Sequence, residues 1–171
     1  MVIGEKVMLR AWSIEDLTAL QLMRNDIQLQ RQLMARPRGN SADQIKDWLE
    51  TRTKSADGLF FVIASKATDM VVGYVQVVGM DFINGLGKLG ICIAPEMHGQ
   101  GYGGEAIRLL EGYLWNVFHL RKLTLEVLAE NFIAIGMYLK IGYREVGRLR
   151  EHFCMGDRYE DVVVMEKMML P

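Results

Sequence analysis

The chain has few of the residues that staple or interrupt a fold, with two cysteines and three prolines in 171 residues. Cys92 and Cys154 are far apart and show no CxxC or Cys/His spacing, which excludes a zinc site, a redox pair and a disulfide framework. A reducing, cytoplasmic setting follows, with no metal expected. No apolar run approaches the ~18 residues of a membrane span. Nor does a charged segment, apolar stretch and cleavage site open the chain, so a soluble, unexported protein without a membrane partner is expected. Net charge is scarce too: 20 basic residues against 21 acidic ones leave −1, and no global field for nucleic acid. What is abundant is apolar material, at 50% of residues, enough for one core and a single domain over residues 1–171. The twelve methionines scatter through apolar positions and are read as core filling.

Val7 and Leu9 alternate with polar neighbours as a short strand, and Ser13 to Asp16 reads as the start of a helix running to about Arg24. Asn25 to Asn40 has weak periodicity and contains Pro37 and Gly39. Ser41 to Gln44 then forms a capping-box pattern ahead of Ile45, Trp48 and Leu49. Leu59–Ala64, Val71–Val78 and Lys88–Ile93 read as an antiparallel meander, the last turn marked by Asn84-Gly85. From Gly103, the residues Ala106, Ile107, Leu110, Leu114, Val117 and Phe118 recur at helical spacing. Leu123–Leu128 is a strand, Asn131–Ile141 a helix closed by Gly142, and Tyr143–Phe153 with Tyr159–Met168 a final hairpin. Strands and helices alternating around a meander predict an α/β fold of α+β type with a mixed sheet.

His98-Gly99-Gln100-Gly101-Tyr102-Gly103-Gly104 lies between a strand and a helix N-terminus, where unpaired amides and the helix dipole favour a phosphate. A flexible turn is the plainer reading of four glycines. Gly99, Gly101 and Gly104 also satisfy GxGxxG, with Glu126 about twenty residues on, as in a nicotinamide-binding oxidoreductase. That fingerprint needs its first glycine at the strand end, whereas Ala94 to His98 intervene, and too little chain remains for a second nucleotide-binding half. No Lys-Ser or Lys-Thr pair follows the loop, so a P-loop is excluded.

In the register His98, Gly101, Gly103, after a strand ending in Ala94-Pro95, the loop resembles the coenzyme-binding signature of the GNAT N-acetyltransferases, His98 departing from their usual Gln or Arg. Asn131 to Ala134, Tyr138, Ile141-Gly142-Tyr143 and Gly147 to Leu149 resemble further segments of that superfamily. The hairpin at Met155 to Val162 resembles the branch containing ribosomal-protein, spermidine and nucleotide-sugar acetyltransferases. The resemblance implies acetyl-CoA as co-substrate, a central sheet splayed at the cofactor, and backbone pairing of its pantetheine arm with Ile91 and Ile93. It also implies pyrophosphate contacts along His98, Gly99, Gln100, Gly101, Tyr102, Gly103 and Gly104, and coenzyme contact at Asn131. Tyr138 matches the tyrosine that protonates the coenzyme sulfur. A non-catalytic acyl-CoA-binding regulator is the alternative that keeps the fold without turnover.

No carboxylate or histidine stands in Gly87-Lys88-Leu89-Gly90, where this branch often carries a basic glutamate. Glu126 on the next strand is the candidate base, with a solvated surface role as its alternative and Asp81 and His152 behind it. At neutral pH a lysine-like amine costs about 4 to 5 kcal/mol to deprotonate, and an α-amine only about 1 to 2, so a weak base favours low-pKa amines. The segment from Arg24 to Asn40 sets Arg24, Arg31, Arg36 and Arg38 against Asp26 alone. Read as an acceptor wall, Arg31, Arg36 and Arg38 suit phosphate or carboxylate and repel a polyamine. A nucleotide-linked amino sugar is the expected acceptor, with a protein N-terminal amine or a polyamine as alternatives and a solvated basic loop as the plain reading. Cys92 and Trp48 are read as core packing, and Trp115 as a candidate contact of a homodimer.

Overall fold

The computed structural model describes residues 1–169. Strands β1 (Val2–Ile3) and β2 (Val7–Arg10) lead through a 3-10 turn at Ile14–Asp16 into helices α1 (Leu17–Asn25), α2 (Ile27–Gln32) and α3 (Ala42–Lys54). Strands β3 (Leu59–Ser65), β4 (Val71–Asp81) and β5 (Leu86–Ile93) follow, then α4 (Tyr102–Phe118), β6 (Lys122–Leu128), α5 (Phe132–Lys140), β7 (Arg144–Cys154) and β8 (Tyr159–Met168). One mixed sheet runs β1-β2-β3-β4-β5-β6-β8-β7, in which β5 and β6 are parallel and the other neighbours antiparallel. This is the α/β class and mixed sheet that the sequence predicts.

Local chemistry explains most boundaries. Ser41 Oγ accepts from Gln44 N at 3.2 Å while Gln44 Oε1 accepts from Ser41 N at 2.9 Å, the reciprocal cap that starts α3. Asp16 accepts from Ser13 N at 2.7 Å and from both ends of the Arg10 guanidinium at 2.7 and 2.9 Å, tying β2 to the start of α1. Burial opposes the Asp16 charge, but the bonds from Arg10 and Ser13 outweigh it and hold the carboxyl below its usual range. The segment expected to be irregular holds the six residues of α2, capped by Asp26 Oδ1 on Leu29 N at 2.9 Å. Its buried positions are Leu29 and the polar Gln30, so no apolar stripe betrayed it.

The sheet separates two cores. On one face α4 and α5 cover Val75, Val77, Leu123, Leu125 and Met165; on the other α1, α2 and α3 cover Val62, Tyr74 and Cys92. The alternation of Tyr74 and Val75 between the cores is the period-two rule of a strand buried on both faces. β5 and β6 pair only through Leu86↔Lys122, Gly87↔Leu123 and Lys88↔Thr124. Beyond Lys88, β5 stays with β4 as far as Ile93↔Gly73, and β6 stays with β8 as far as Leu128↔Val162. The two strands therefore part, and the stretch from Leu89 to Ile93 has one backbone edge with no strand beside it. Such an edge must find hydrogen bonds from solvent or a ligand.

Candidate active site

A cavity of about 950 Å³ is lined by β5 from Lys88 to Ile93, by Glu126 and Val127 of β6, and by residues of both helical layers. It therefore joins the two faces of the sheet through the gap between β5 and β6. The helix-α4 side supplies His98, Gly99, Gly101 to Gly104, Asn131 and Tyr138; the opposite side supplies Arg24, Arg38, Trp48, Arg52, Tyr74 and Gln76.

At the first of these ends, Gly99 and Gly101 have φ of 77° and 84°, a region that favours glycine, and a Cβ at Gly99 would meet nothing within 4 Å. Helices α2, α3 and α5 are capped by Asp26, Ser41 and Asn131, but Gly101 gives α4 no side-chain cap. The first-turn amides of α4 thus remain available at the cavity, with the positive end of a 17-residue helix behind them. Gly103 and Gly104 do other work: a Cβ there would lie 2.9 Å from Met137 Sδ and 3.5 Å from Ile141 Cγ2, so they let α5 pack against the start of α4. Tyr102 lines the cavity, whereas Gln100 lies in a separate surface cleft with Lys6 and Lys66, its carbonyl accepting from Lys6 Nζ at 3.1 Å.

Ile91 and Ile93 lie on the unpaired stretch of β5. The His98 ring nitrogen Nε2 is 2.9 Å from the Ile93 carbonyl oxygen; in the Nε2–H tautomer it donates there and ties the loop to the strand end. Asn131 Oδ1 accepts from Ala134 N at 3.1 Å as the α5 cap. Tyr138 is buried against Tyr143, with ring centroids 5.7 Å apart, and borders the cavity. Burial pushes its phenol well above the ordinary tyrosine value, which keeps it protonated and able to donate.

Glu126 is the one carboxylate among the cavity-lining residues, and its Oε1 is 2.8 Å from Lys88 Nζ across the point where the strands part. Asp81 instead closes the β4–β5 turn, accepting from Ile83 N and Asn84 N at 2.9 Å each, and His152 sits exposed on β7. Neither lines the cavity.

The basic segment is only partly at this wall. Arg38 lines the cavity, and its backbone is held by the buried Gln30 amide, which donates to Arg38 O at 3.1 Å and accepts from Arg38 N at 3.0 Å. Arg31 in the last turn of α2 and the exposed Arg36 do not line it, which corrects their reading as wall residues, because the turn after α2 directs only part of the segment inward. Arg24 and Arg52 take their place. The Arg24 guanidinium lies 4.7 Å from the Trp48 ring centroid, and Trp48 packs edge-on against Phe60 and Tyr74 at 5.4 and 5.3 Å. Trp48 is thus both core and wall. Gln76 was also overlooked, although one polar residue in the apolar run from Val71 to Val78 was a legible signal.

The profile of the acetyltransferase (GNAT) domain family matches residues 6–144, and the chain belongs to that family. This removes the nicotinamide-binding alternative, whose loop geometry the eight residues between Ile93 and Tyr102 already disfavour. The chain is similar to the spermidine N(1)-acetyltransferase of Vibrio cholerae, 31% identical over 100 residues, a match spanning 58% of each protein. The SPbeta prophage-derived uncharacterized N-acetyltransferase YokL of Bacillus subtilis is 24% identical over 160 residues, 93% of this chain and 88% of that one. Among solved structures, the V. cholerae spermidine N-acetyltransferase in complex with CoA and spermine superposes with a TM-score of 0.88 at 25% identity, covering 97% of both chains.

Proposed function

We propose that this chain transfers the acetyl group of acetyl-CoA to a primary amine, both substrates bound together in the cavity between β5 and β6. The observation that carries the reading is the uncapped, glycine-opened N-terminus of α4 facing the same cavity as the unpaired edge of β5 and Tyr138. The α4 amides receive the pyrophosphate, with Arg108 and Lys140 in the same lining as its cationic flank. The free edge of β5 at Leu89 to Ile93 pairs with the amide groups of the pantetheine arm, except that His98 takes up part of the Ile93 carbonyl.

The amine nitrogen attacks the thioester carbonyl carbon, the carbon–sulfur bond breaks, and the products are the N-acetyl amine and the free thiol. Tyr138 gives its proton to the departing sulfur, a step that a phenol kept neutral by burial suits. Glu126, whose Oε1 is 2.8 Å from Lys88 Nζ, takes the proton the amine loses; a carboxylate is a weak base beside an alkylamine, which favours amines of low pKa.

The named relatives support a polyamine acceptor, since two of those described above are spermidine acetyltransferases, and they lend none to the nucleotide-linked amino sugar. The cavity points elsewhere: its lining holds Arg24, Arg38, Arg52 and Lys88 at the acceptor side against Glu126 alone. Thermal-shift titration tests the cofactor half of the reading, because acetyl-CoA at 100 times its dissociation constant adds roughly 2.7 kcal/mol of stability. Stabilisation by NADH with none by acetyl-CoA would overturn it.

A further inference from the structure

The acceptor end of the cavity holds an imbalance that the reaction itself does not require. Among the described residues, Arg24, Arg38 and Arg52 line it and none of the three forms an ion pair, whereas Arg10, Arg144, Arg148 and Arg158 elsewhere all have carboxylate partners. Arg24 is the most constrained: it is half-buried, stacked over Trp48, and its Nε is a buried donor with no partner. A half-buried guanidinium with an unpartnered N–H and no carboxylate beside it is a ready partner for an oxyanion that enters the cavity. The wall is also built rather than loose. Asn40 Nδ2 donates to Arg24 O at 2.9 Å, Asn40 N donates to Asn25 Oδ1 at 2.7 Å, and Gln30 braces Arg38 from both sides. On the same side of the sheet Gln76 carries a second buried, unpartnered polar atom, its Oε1, and its side chain lies over Gly90, where an added Cβ would come within 3.2 Å of Gln76 Nε2.

We propose that Arg24, flanked by Arg38 and Arg52, is an oxyanion-recognising subsite that selects acceptor amines bearing a carboxylate or a phosphate a few bonds from the nitrogen. The proposal rests on the acetyltransferase reading of the same cavity and goes beyond it by naming the acceptor class. The planar fork of arginine matches both oxyanions in a way that a lysine does not, and a polyamine offers it only repulsion.

Matched amines test this, each pair alike except for the anion: β-alanine against propylamine, and phosphoethanolamine against ethanolamine, with spermidine as the cationic comparison. The wild type should favour the anionic member of at least one pair by about ten- to hundredfold in kcat/KM, and the pair showing the larger ratio separates carboxylate from phosphate. Arg24→Gln should reduce that ratio to about two or less while leaving the acetyl-CoA KM within about twofold. Equal turnover within both pairs, preference for spermidine, or an undiminished ratio in Arg24→Gln overturns the subsite. Should Arg24→Gln not fold, Arg52→Gln and the wild-type ratios carry the test. In the absence of any turnover, calorimetric titration of the same amines into the CoA-saturated protein decides it. Binding of the anionic members alone supports the subsite, and binding of none overturns it. Whether acetyl-CoA stabilises the protein judges the acetyltransferase reading separately.

Discussion

Replacing Tyr138 with Phe removes one oxygen from the cavity wall and leaves the ring in place. Tyr138 is 7% exposed, and its contact with Tyr143 and the α5 packing around it involve the ring, so the variant should lose less than about 1 kcal/mol of stability. The functional loss should be far larger. Burial raises the phenol above its ordinary value near 10, so at pH 7 it is fully protonated and poised to donate rather than to accept. A positioned general acid contributes about 10²- to 10⁴-fold, so a loss of about 10²- to 10³-fold in kcat is expected, or roughly 2.7 to 4.1 kcal/mol of barrier. The assay is initial-rate release of free thiol at saturating acetyl-CoA, from pH 6 to pH 10, on both proteins. The acetyl-CoA KM should stay within about twofold, since the hydroxyl acts only as the bond to sulfur breaks. No descending limb attributable to Tyr138 should appear below about pH 10, because ionisation is displaced upward. A fall in kcat smaller than about threefold, with unchanged thermal midpoint, would assign Tyr138 to packing and refute the acid role.

Asp16→Asn should cost about 1.5 to 3 kcal/mol, a drop of roughly 3 to 12 °C in Tm, because Arg10 loses its charged bidentate partner and keeps only Asp69. The Asp16 carboxyl titrates lower in the folded state, so its contribution is present above about pH 4 and fades as pH falls through the folded value; wild type and variant should converge in acid, and a constant gap would contradict this. Gly73→Ala would place a Cβ 2.2 Å from the Cys92 carbonyl oxygen, forcing β4 and β5 apart at a cost of about 1 to 3 kcal/mol; unaltered stability in denaturant melts would show the sheet more yielding than argued. Burial pushes the Cys92 thiol up to about 12. Its stabilising contribution is therefore present below the ordinary thiol value near 8.5 and lost as pH rises, so Cys92→Ala should flatten the decline in Tm between about pH 8.5 and 10. An identical slope in both proteins would remove that cause.

Elements with strong periodicity were legible in the sequence: the apolar stripe of α4 as far as Leu114, the capping box of α3 and the β7–β8 hairpin lie where composition and spacing put them, whereas Val117 of that stripe is exposed. The loop from His98 to Gly104 was legible because glycine before an amphipathic helix has few physical uses. What the sequence concealed was set by tertiary contacts. The two residues of β1 are too short for any pattern, and the polar Gln30 is buried because it braces a loop, which no periodicity reports. The sequence shows an excess of arginine from Arg24 to Asn40 but not its direction; the cavity takes Arg24 and Arg38 from it, and Arg52 from α3, while Arg31 and Arg36 lie outside the wall. The pairing of Glu126 with Lys88 was equally hidden, since their adjacency depends on β5 and β6 being parallel neighbours.

The most direct test of the account follows both products of one reaction. The purified protein is mixed with acetyl-CoA and the panel of amines, free thiol is measured continuously, and each amine is examined by mass spectrometry for its N-acetyl derivative. Amine-dependent thiol release should be matched mole for mole by an N-acetylated amine. Thiol release that is the same with and without amine, or none at all from a folded protein that acetyl-CoA stabilises, would contradict it.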